Sequence, residues 1–489
     1  MEHSDQAATP RPFAFNRSAG LGLACVLLLA RLMTLGLYPL YDPSESRYAE
    51  MARKMLESGN WVTPMFDYGV PFWGKPPLTI WLTALSLGVG GVNDFSARLP
   101  SFLLSFGMAA LVFRLGWQRD GKTAAWSAVL ILASSVLFFV MAGAVAMDLG
   151  LSFGVTWALT AFWRAVRLGC KADGYWFFVA LSIGVMAKGP IALVLSGFCV
   201  GLWVVLTGEW RACWRRMPWI TGVVLFLVLC APWFYLAERR TPGFLEYFFI
   251  GEHWKRFTEP GWKGDLYGVG RSQPLGMIWL YWLGGAFPWS LVLLRRLVLA
   301  ARLSGLGFKF RAGDGWPLYC FLWMLTPLVF FTFSANLIWT YVLPGLPGMA
   351  LLSASWRGRE NMPSPWLVLP TPLAFAGLVF FYQFSGVDFF KSQKPLVQAF
   401  QQEAAADERL VYLKEKAFSA QFYLQGGVIE LDGIQALRER LTPANHDYYV
   451  IRDVIARQLP LEMQNRLQPA AHYAQYTLFH ASPLFNRPF

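Results

Sequence analysis

The feature that most limits what this chain can fold into is the recurrence of apolar runs long enough to cross a bilayer. A hydrocarbon core of about 30 Å calls for roughly 20 apolar residues in helical form. Such runs fall at about 19–37, 97–116, 124–142, 149–166, 174–188, 190–207, 217–237, 274–294, 315–333, 338–355 and 365–384, within a range of about 11–13 helices. Backbone N–H and C=O groups in hydrocarbon must be satisfied within the segment, which makes these runs helices. Composition agrees. Of 489 residues, 55% are hydrophobic and only 15% charged, where a soluble chain carries about a quarter charged residues. A mostly α, polytopic membrane protein follows.

The net charge is +12. In a soluble protein that excess would favour nucleic acid; in a membrane protein it is read first against the spans, and no nucleic-acid partner is expected. The six cysteines lie in or beside apolar runs, without metal-ligand spacing and with none after Cys320, so neither a zinc cluster nor a disulfide framework is indicated. The polar start, MEHSDQAATPRPFAFNRSAG, leads into an apolar run that no small-residue cleavage site follows. A retained anchor is expected there, with residues 1–18 as a cytoplasmic tail.

With the N-terminus inside, the connections after even-numbered spans should be rich in Lys and Arg. Arg119 and Lys122, Arg164, Arg167 and Lys171, Arg211, Arg215 and Arg216, Arg295 to Arg311, and Arg357 with Arg359 all fall there. The tail from about 385 to 489 is then outside. Its short β-rich runs, Leu410–Leu413, Val428–Leu431 and Asp447–Ile451, alternate with helical stretches at Gly433–Arg440 and Arg452–Gln458. This predicts a small α/β domain that caps or supports the membrane portion 19–384.

Two outer loops, about 38–96 and 238–273, run against the charge bias. They carry Arg47, Arg53, Lys54, Lys75, Arg239, Arg240, Lys255, Arg256, Lys263 and Arg271. Water or lipid headgroups account for Arg53, Lys54, Arg239 and Arg240. The remainder suit an anionic substrate, most simply a phosphate. A helix opening at Ser44 or Ser46 puts Arg47, Met51 and Lys54 on one face. GKPPLTIWLTALSLGVGG reads as an interfacial helix preceded by Lys75 at headgroup depth, where an ammonium can hold a lipid phosphate. Asp148 ends an apolar run at the same height, and a carboxylate beside the bilayer is a functional-site candidate.

These stretches carry a resemblance. YDPSESRYAEMARKMLESGNWVTP and KPPLTIWLTALSLGVGGVNDFSARLPS are similar to the first periplasmic loop of the aminoarabinose lipid A transferase family, within the protein-mannosyltransferase-like, C-type (GT-C) membrane glycosyltransferases. MAKGPIALVL, GEHWKRF, ANLIWTYVLPGLP and LKEKAFSAQFYLQGG extend the match along nearly the whole chain. The resemblance implies a GT-C fold in the bacterial inner membrane, with site and C-terminal domain facing the periplasm. It implies an inverting transferase, acting as a monomer, that takes a sugar from undecaprenyl phosphate and delivers it to lipid A. Asp42, Asp148 and Glu45 would be catalytic carboxylates, Lys75, Tyr341 and Arg256 would hold the donor phosphate, and Arg47, Tyr48 and His253 would bind substrate.

The chain also departs from the family pattern. Ser44 stands at the usual second Asp, Gly74 at a frequent Glu, and ANLIW lacks a frequent Lys. That Glu, with a loop His, holds a structural zinc in some members; with only His253 at hand, no metal and no cofactor are expected. Two other readings stay open at the level of sequence. One is a transferase of the same chemistry acting on another envelope glycan or a protein. The other is a lipid or sugar transporter, which calls for internal repeats and ionisable residues deep in the spans; the sequence displays neither.

Overall fold

The protein is described by a computed structural model covering residues 17–268, 271–304, 314–356, 362–385, 391–442 and 445–481. The expected tail over residues 1–16 and the loop cations Lys309, Arg311, Arg357 and Arg359 lie outside the described residues.

Helices stand at all eleven apolar runs. In chain order the first half comprises α1 (Arg17–Met33), α2 (Ser44–Ser58), α3 (Leu78–Gly90), α4 (Asp94–Asp120), α5 (Lys122–Ser134), α6 (Val136–Met141), α7 (Met147–Arg167), α8 (Lys171–Lys188), α9 (Ile191–Thr207), α10 (Trp210–Arg216) and α11 (Trp219–Arg240). Among the described residues, α4 and α11 are each long and apolar enough to cross a membrane by length and composition alone.

Several runs expected to be continuous are broken; 365–384 divides at Leu369, and three others also break. The run at 274–294 is a pair of helices, Met277–Gly285 and Trp289–Ser304, with a bend of 109° across the break at Ala286–Pro288. Proline supplies no N–H to carry a helix across that point. The run at 338–355 opens as a 3₁₀ segment, Trp339–Gly345, before the helix Leu346–Ser355, with Pro344 at the change. The run at 124–142 divides at Ser135, which takes an extended conformation.

Close packing of α7 on α8 forms the centre. A methyl group on Gly154 would lie 2.5 Å from the Gly184 backbone nitrogen, and one on Gly150 2.7 Å from Ala187 Cβ. Small residues at these crossings let two helix backbones approach within hydrocarbon, where van der Waals packing drives association. Because α7 and α8 are antiparallel neighbours, this register sets the start of α7 beside the end of α8. The 21 residues of α7 rise about 30 Å. At its far end Arg164 pairs with Asp173 at 3.0 Å, and Arg167 pairs with Glu209 at 2.9 Å. Arg31, buried in the last turn of the first span, donates from Nε to Phe139 O and from Nη2 to Val140 O, satisfying carbonyls of α6.

The outer elements gather around α2. α3 buries Thr79, Ile80, Thr83, Ala84 and Leu87, and packs mainly on α2 and α4, with smaller contacts to α7 and α8. A short hairpin, β1 (Met65–Asp67) with β2 (Val70–Pro71), follows α2. The C-terminal unit is a five-stranded sheet ordered β4-β3-β5-β7-β6. Its strands are β3 (Leu410–Leu413), β4 (Val428–Leu431), β5 (Tyr448–Arg452), β6 (Leu467–Tyr473) and β7 (Tyr476–Ala481). β3 runs parallel to both its neighbours, and all four of its residues are buried. Leu410 and Tyr412 enter one apolar cluster, with the helix Lys394–Glu403, and Val411 and Leu413 enter the opposite one. That is the signature of a strand covered on both faces.

Arg53 and Lys54, expected in water, are buried at 4% and 1% exposure. The helix Phe418–Tyr423 of the C-terminal unit covers this part of α2. Beneath it, Arg53 pairs with Glu50 at 2.7 Å, and Lys54 donates to Gln421 Oε1 and to Asp67, each at 3.1 Å. Arg239 and Arg240 are exposed as expected.

The α7–α8 contact gives opposite expectations for two glycines. Gly154→Ala should destabilise by about 1–3 kcal/mol, because its methyl meets backbone that cannot rotate away. Gly197→Ala, whose methyl meets nothing within 4 Å in α9, should be neutral or gain up to about 1 kcal/mol. Thermal melting in detergent compares the two.

Candidate active site

At the end of the bundle where α7 begins and α8 ends, charged side chains converge from four parts of the chain. Asp148, in the first turn of α7, accepts from Lys188 Nζ at 2.5 Å. The Lys188 ammonium also lies 4.5 Å over the ring of Tyr341 from the 3₁₀ segment, a cation–π contact. Lys75, just before α3, pairs with Glu252 on the π-helical turn Tyr247–Lys255. Arg256 Nη1 donates to both carboxylate oxygens of Glu252, at 2.8 and 3.0 Å, and reaches Asp265 at 3.1 Å. Asp265 Oδ1 accepts from Tyr267 N, and Tyr267 O accepts from Arg47 Nη1 at 2.5 Å. Tyr341 is near enough to interact with Lys188, Arg256, Asp148 and Glu252.

The charges in this group do not balance. Among the described residues, Lys75, Lys188, Arg256 and Arg47 are four cations against three carboxylates, Glu252, Asp265 and Asp148. Two buried polar atoms here lack a hydrogen-bond partner: Arg47 Nε, and Oγ1 of Thr340, next to Tyr341 in the chain. An excess cation and open donors in a largely buried setting suit an added anion.

Electrostatics follows from this crowding. Burial opposes the charge on Glu252, but Lys75 and Arg256 outweigh it and hold the carboxyl below its usual range. Burial, assisted by Arg256 and Lys188, pushes the Lys75 amine down, and Glu252 opposes that. His253 is pushed down to about 4, by burial first and by Lys75 second. It is therefore a neutral imidazole, with Nδ1 2.7 Å from Phe248 O and Nε2 3.4 Å from Lys188 O. Gly189, at φ +100°, makes room for it: a methyl there would lie 2.6 Å from the imidazole Nε2.

The expected site residues divide into two sets. Lys75, Arg256, Tyr341, Asp148 and Arg47 are brought together. Tyr48 borders them, with the Arg47 guanidinium 5.1 Å over its ring, and lines a groove with Thr79, Ile80 and Met147. Asp42 and Glu45 are turned elsewhere. Asp42 accepts from Ser46 Oγ and from both the amide, at 3.0 Å, and the hydroxyl of Ser419. It thereby ties α2 to the C-terminal unit. Glu45 forms a two-point pair with buried Arg98 at 2.7 and 2.9 Å and accepts from the Tyr41 and Val145 amides. With these acceptor positions filled, Glu45 holds the loop against Arg98 and Val145, just before α7. His253, expected to bind substrate, packs against the Lys188–Gly189 corner instead.

Residues 19–248 match the dolichyl-phosphate-mannose-protein mannosyltransferase family. An undecaprenyl phosphate-alpha-4-amino-4-deoxy-L-arabinose arabinosyl transferase of Pseudomonas savastanoi pv. phaseolicola is 31% identical over 357 residues, which are 68% of this chain and 60% of that protein. Its counterpart from Edwardsiella ictaluri is 29% identical, over 69% of this chain and 59% of that protein. The crystal structure of ArnT from Cupriavidus metallidurans bound to undecaprenyl phosphate superposes with a TM-score of 0.76 at 19% identity, covering 95% of this chain and 98% of that one.

The chain is similar to the aminoarabinose transferases over about two thirds of its own length and has the GT-C membrane fold. It spans about three fifths of the length of the curated relatives it matches. Within this fold, the residues that sequence reasoning passed over are Lys188, Glu252 and Asp265. Lys188 was legible as a lone cation closing an apolar helix before Gly-Pro, and Glu252 as the acid of GEHWKRF. Asp265 carried no signal, because only the folded loop sets it against Arg256. Among the described residues, no group of three or more His, Cys, Asp or Glu side chains is placed to hold a metal ion.

His253 predicts an acid-side loss of stability. Its folded value near 4 lies below its ordinary 6.5, so the unfolded chain binds the extra proton between those values. Stability is complete above about pH 6.5 and should fall by about 3 kcal/mol as pH drops toward 4. His253→Gln should flatten that limb in melts recorded across this range.

Proposed function

We propose that this chain is an inverting glycosyltransferase that moves an amino sugar from undecaprenyl phosphate to a phosphate of lipid A. The transfer takes place at the periplasmic face of the bacterial inner membrane. The observation that carries this reading is the unbalanced cation at the end of α7 and α8, in a chain with this similarity.

Displacement at the anomeric carbon develops positive charge on the sugar and negative charge on the departing phosphate. An oxygen of the acceptor phosphate forms the new bond to C1 as the bond from C1 to the undecaprenyl phosphate oxygen breaks. The electron pair leaves with that oxygen. Attack from the opposite face inverts C1. The acceptor phosphate is an anion at neutral pH and needs no strong base. Lys75 and Arg256 stabilise the leaving phosphate, with the Tyr341 hydroxyl beside them. Lys188 and Arg47 extend the positive surface toward the acceptor. Asp148, already ion-paired, orients the sugar. Asp42 and Glu45 act at one remove by holding α2, and with it Arg47 and Tyr48, in place. Transfer of an amino sugar onto lipid A replaces exposed negative charge and would lower the attraction of cationic peptides such as polymyxin.

Mass spectrometry of lipid A from cells with and without the gene tests the reading, the expected difference being one added amino sugar per modified phosphate. Lys75→Ala should lower transfer on the order of 10²-fold, the usual cost of removing one charge-stabilising donor. Unchanged lipid A together with wild-type behaviour of Lys75→Ala would sink the proposal.

A further inference from the structure

We infer that Glu252 is a positioning residue for this transfer: it keeps the Lys75 ammonium charged and aimed, so that its remaining N–H meets the donor phosphate. The inference rests on the reading of Lys75 as a phosphate ligand and assigns Glu252 no contact with the sugar.

The geometry is specific. The Lys75 side chain is 14% exposed and that of Glu252 3%. An ammonium has three N–H groups. One goes to Gly74 O at 2.7 Å and one to Glu252 Oε1, which leaves the third for a ligand. The same Oε1 accepts from Arg256 Nη1 at 2.8 Å, so a single carboxylate fixes the spacing of the two cations that face the phosphate.

The other groups around Lys75 do not supply this support. Arg256 and His253 come from the same turn as Glu252; the first repels Lys75 and the second is neutral. Lys188 of α8 repels it as well, and the nearby carboxylate Asp148 of α7 is engaged by Lys188. Tyr341, Tyr247 and Tyr267 complete the surroundings of Glu252 as neutral phenols. Glu252 is thus the anion in contact with Lys75, and a buried ammonium without its anion sheds its proton.

The test measures affinity for undecaprenyl phosphate in detergent from about pH 6 to about pH 9, with wild type, Glu252→Gln, Lys75→Arg and the double variant. Glu252→Gln should bind near pH 6 and lose about tenfold toward pH 9, as an amine that titrates about one unit below that pH does. The double variant should bind without that loss, because a guanidinium stays protonated. Binding by Glu252→Gln that equals or exceeds wild type at every pH would overturn the inference, as would a uniform loss that arginine does not rescue. The wild-type protein gives a reading that requires no variant to fold: its affinity should hold from about pH 6 into the neutral range, because Glu252 keeps Lys75 protonated there. Wild-type affinity that already falls away from about pH 6 upward would overturn the inference. Failure of the wild type to bind undecaprenyl phosphate at any pH would instead remove the phosphate-site reading beneath it.

Discussion

The pairing of Asp148 with Lys188 is the interaction on which the rest of the structure depends. A charged group at the end of an apolar helix needs its counter-charge within reach. Here that reach is set by backbone geometry, because Gly150 and Gly154 lie against Ala187 and Gly184. The helices cannot slide past one another without driving methyl groups into backbone. Lys188 then carries the order outward: its ammonium lies over Tyr341, and its carbonyl and the following glycine form the corner that seats His253. From His253 the turn continues to Glu252 and Arg256.

A second network holds the same end of the molecule from above. Asp42 receives Ser419, Lys54 donates to Gln421, and Lys416 reaches Asp67 at 2.7 Å. Asp94, at the start of α4, accepts from Tyr423 and Lys394, each at 2.5 Å. These bonds join the C-terminal sheet to α2, the β1–β2 hairpin and α4. The charge of this end therefore falls into two classes. One has its carboxylates met by cations, hydroxyls and amides and faces the C-terminal unit; the other has a cation to spare and faces the end of the bundle. Burying a charge is tolerable where its partner is supplied, which is why the first class is structural. The second class is the proposed site for the donor phosphate.

Much of this was legible before the fold was seen. Apolar length placed helices at every expected run. Strands Leu410–Leu413 and Val428–Leu431 followed from β-branched and aromatic runs bounded by turn residues. Lys75, Arg256, Tyr341 and Asp148 were marked by their positions in or beside short motifs. What escaped was set by distant contacts. Arg53 and Lys54 look like wet helix residues until a segment some 360 positions later covers them through Gln421. The last hairpin, Leu467–Tyr473 with Tyr476–Ala481, is too polar on its open face to announce itself. The contacts of Glu45 with Arg98 and of Asp42 with Ser419 likewise depend on segments far away in the chain. The breaks at Ser135, Pro288 and Pro344 lie within apolar runs whose hydropathy does not change.

The central claim is that the excess cation at the junction of α7 and α8 is a phosphate site. It is tested most directly by determining the structure of this protein with undecaprenyl phosphate bound. The account predicts the phosphate within hydrogen-bonding distance of Lys75 Nζ and the Arg256 guanidinium, with Tyr341 alongside. A phosphate seated elsewhere, with the Lys75–Glu252–Arg256 group unoccupied and unchanged, would contradict it.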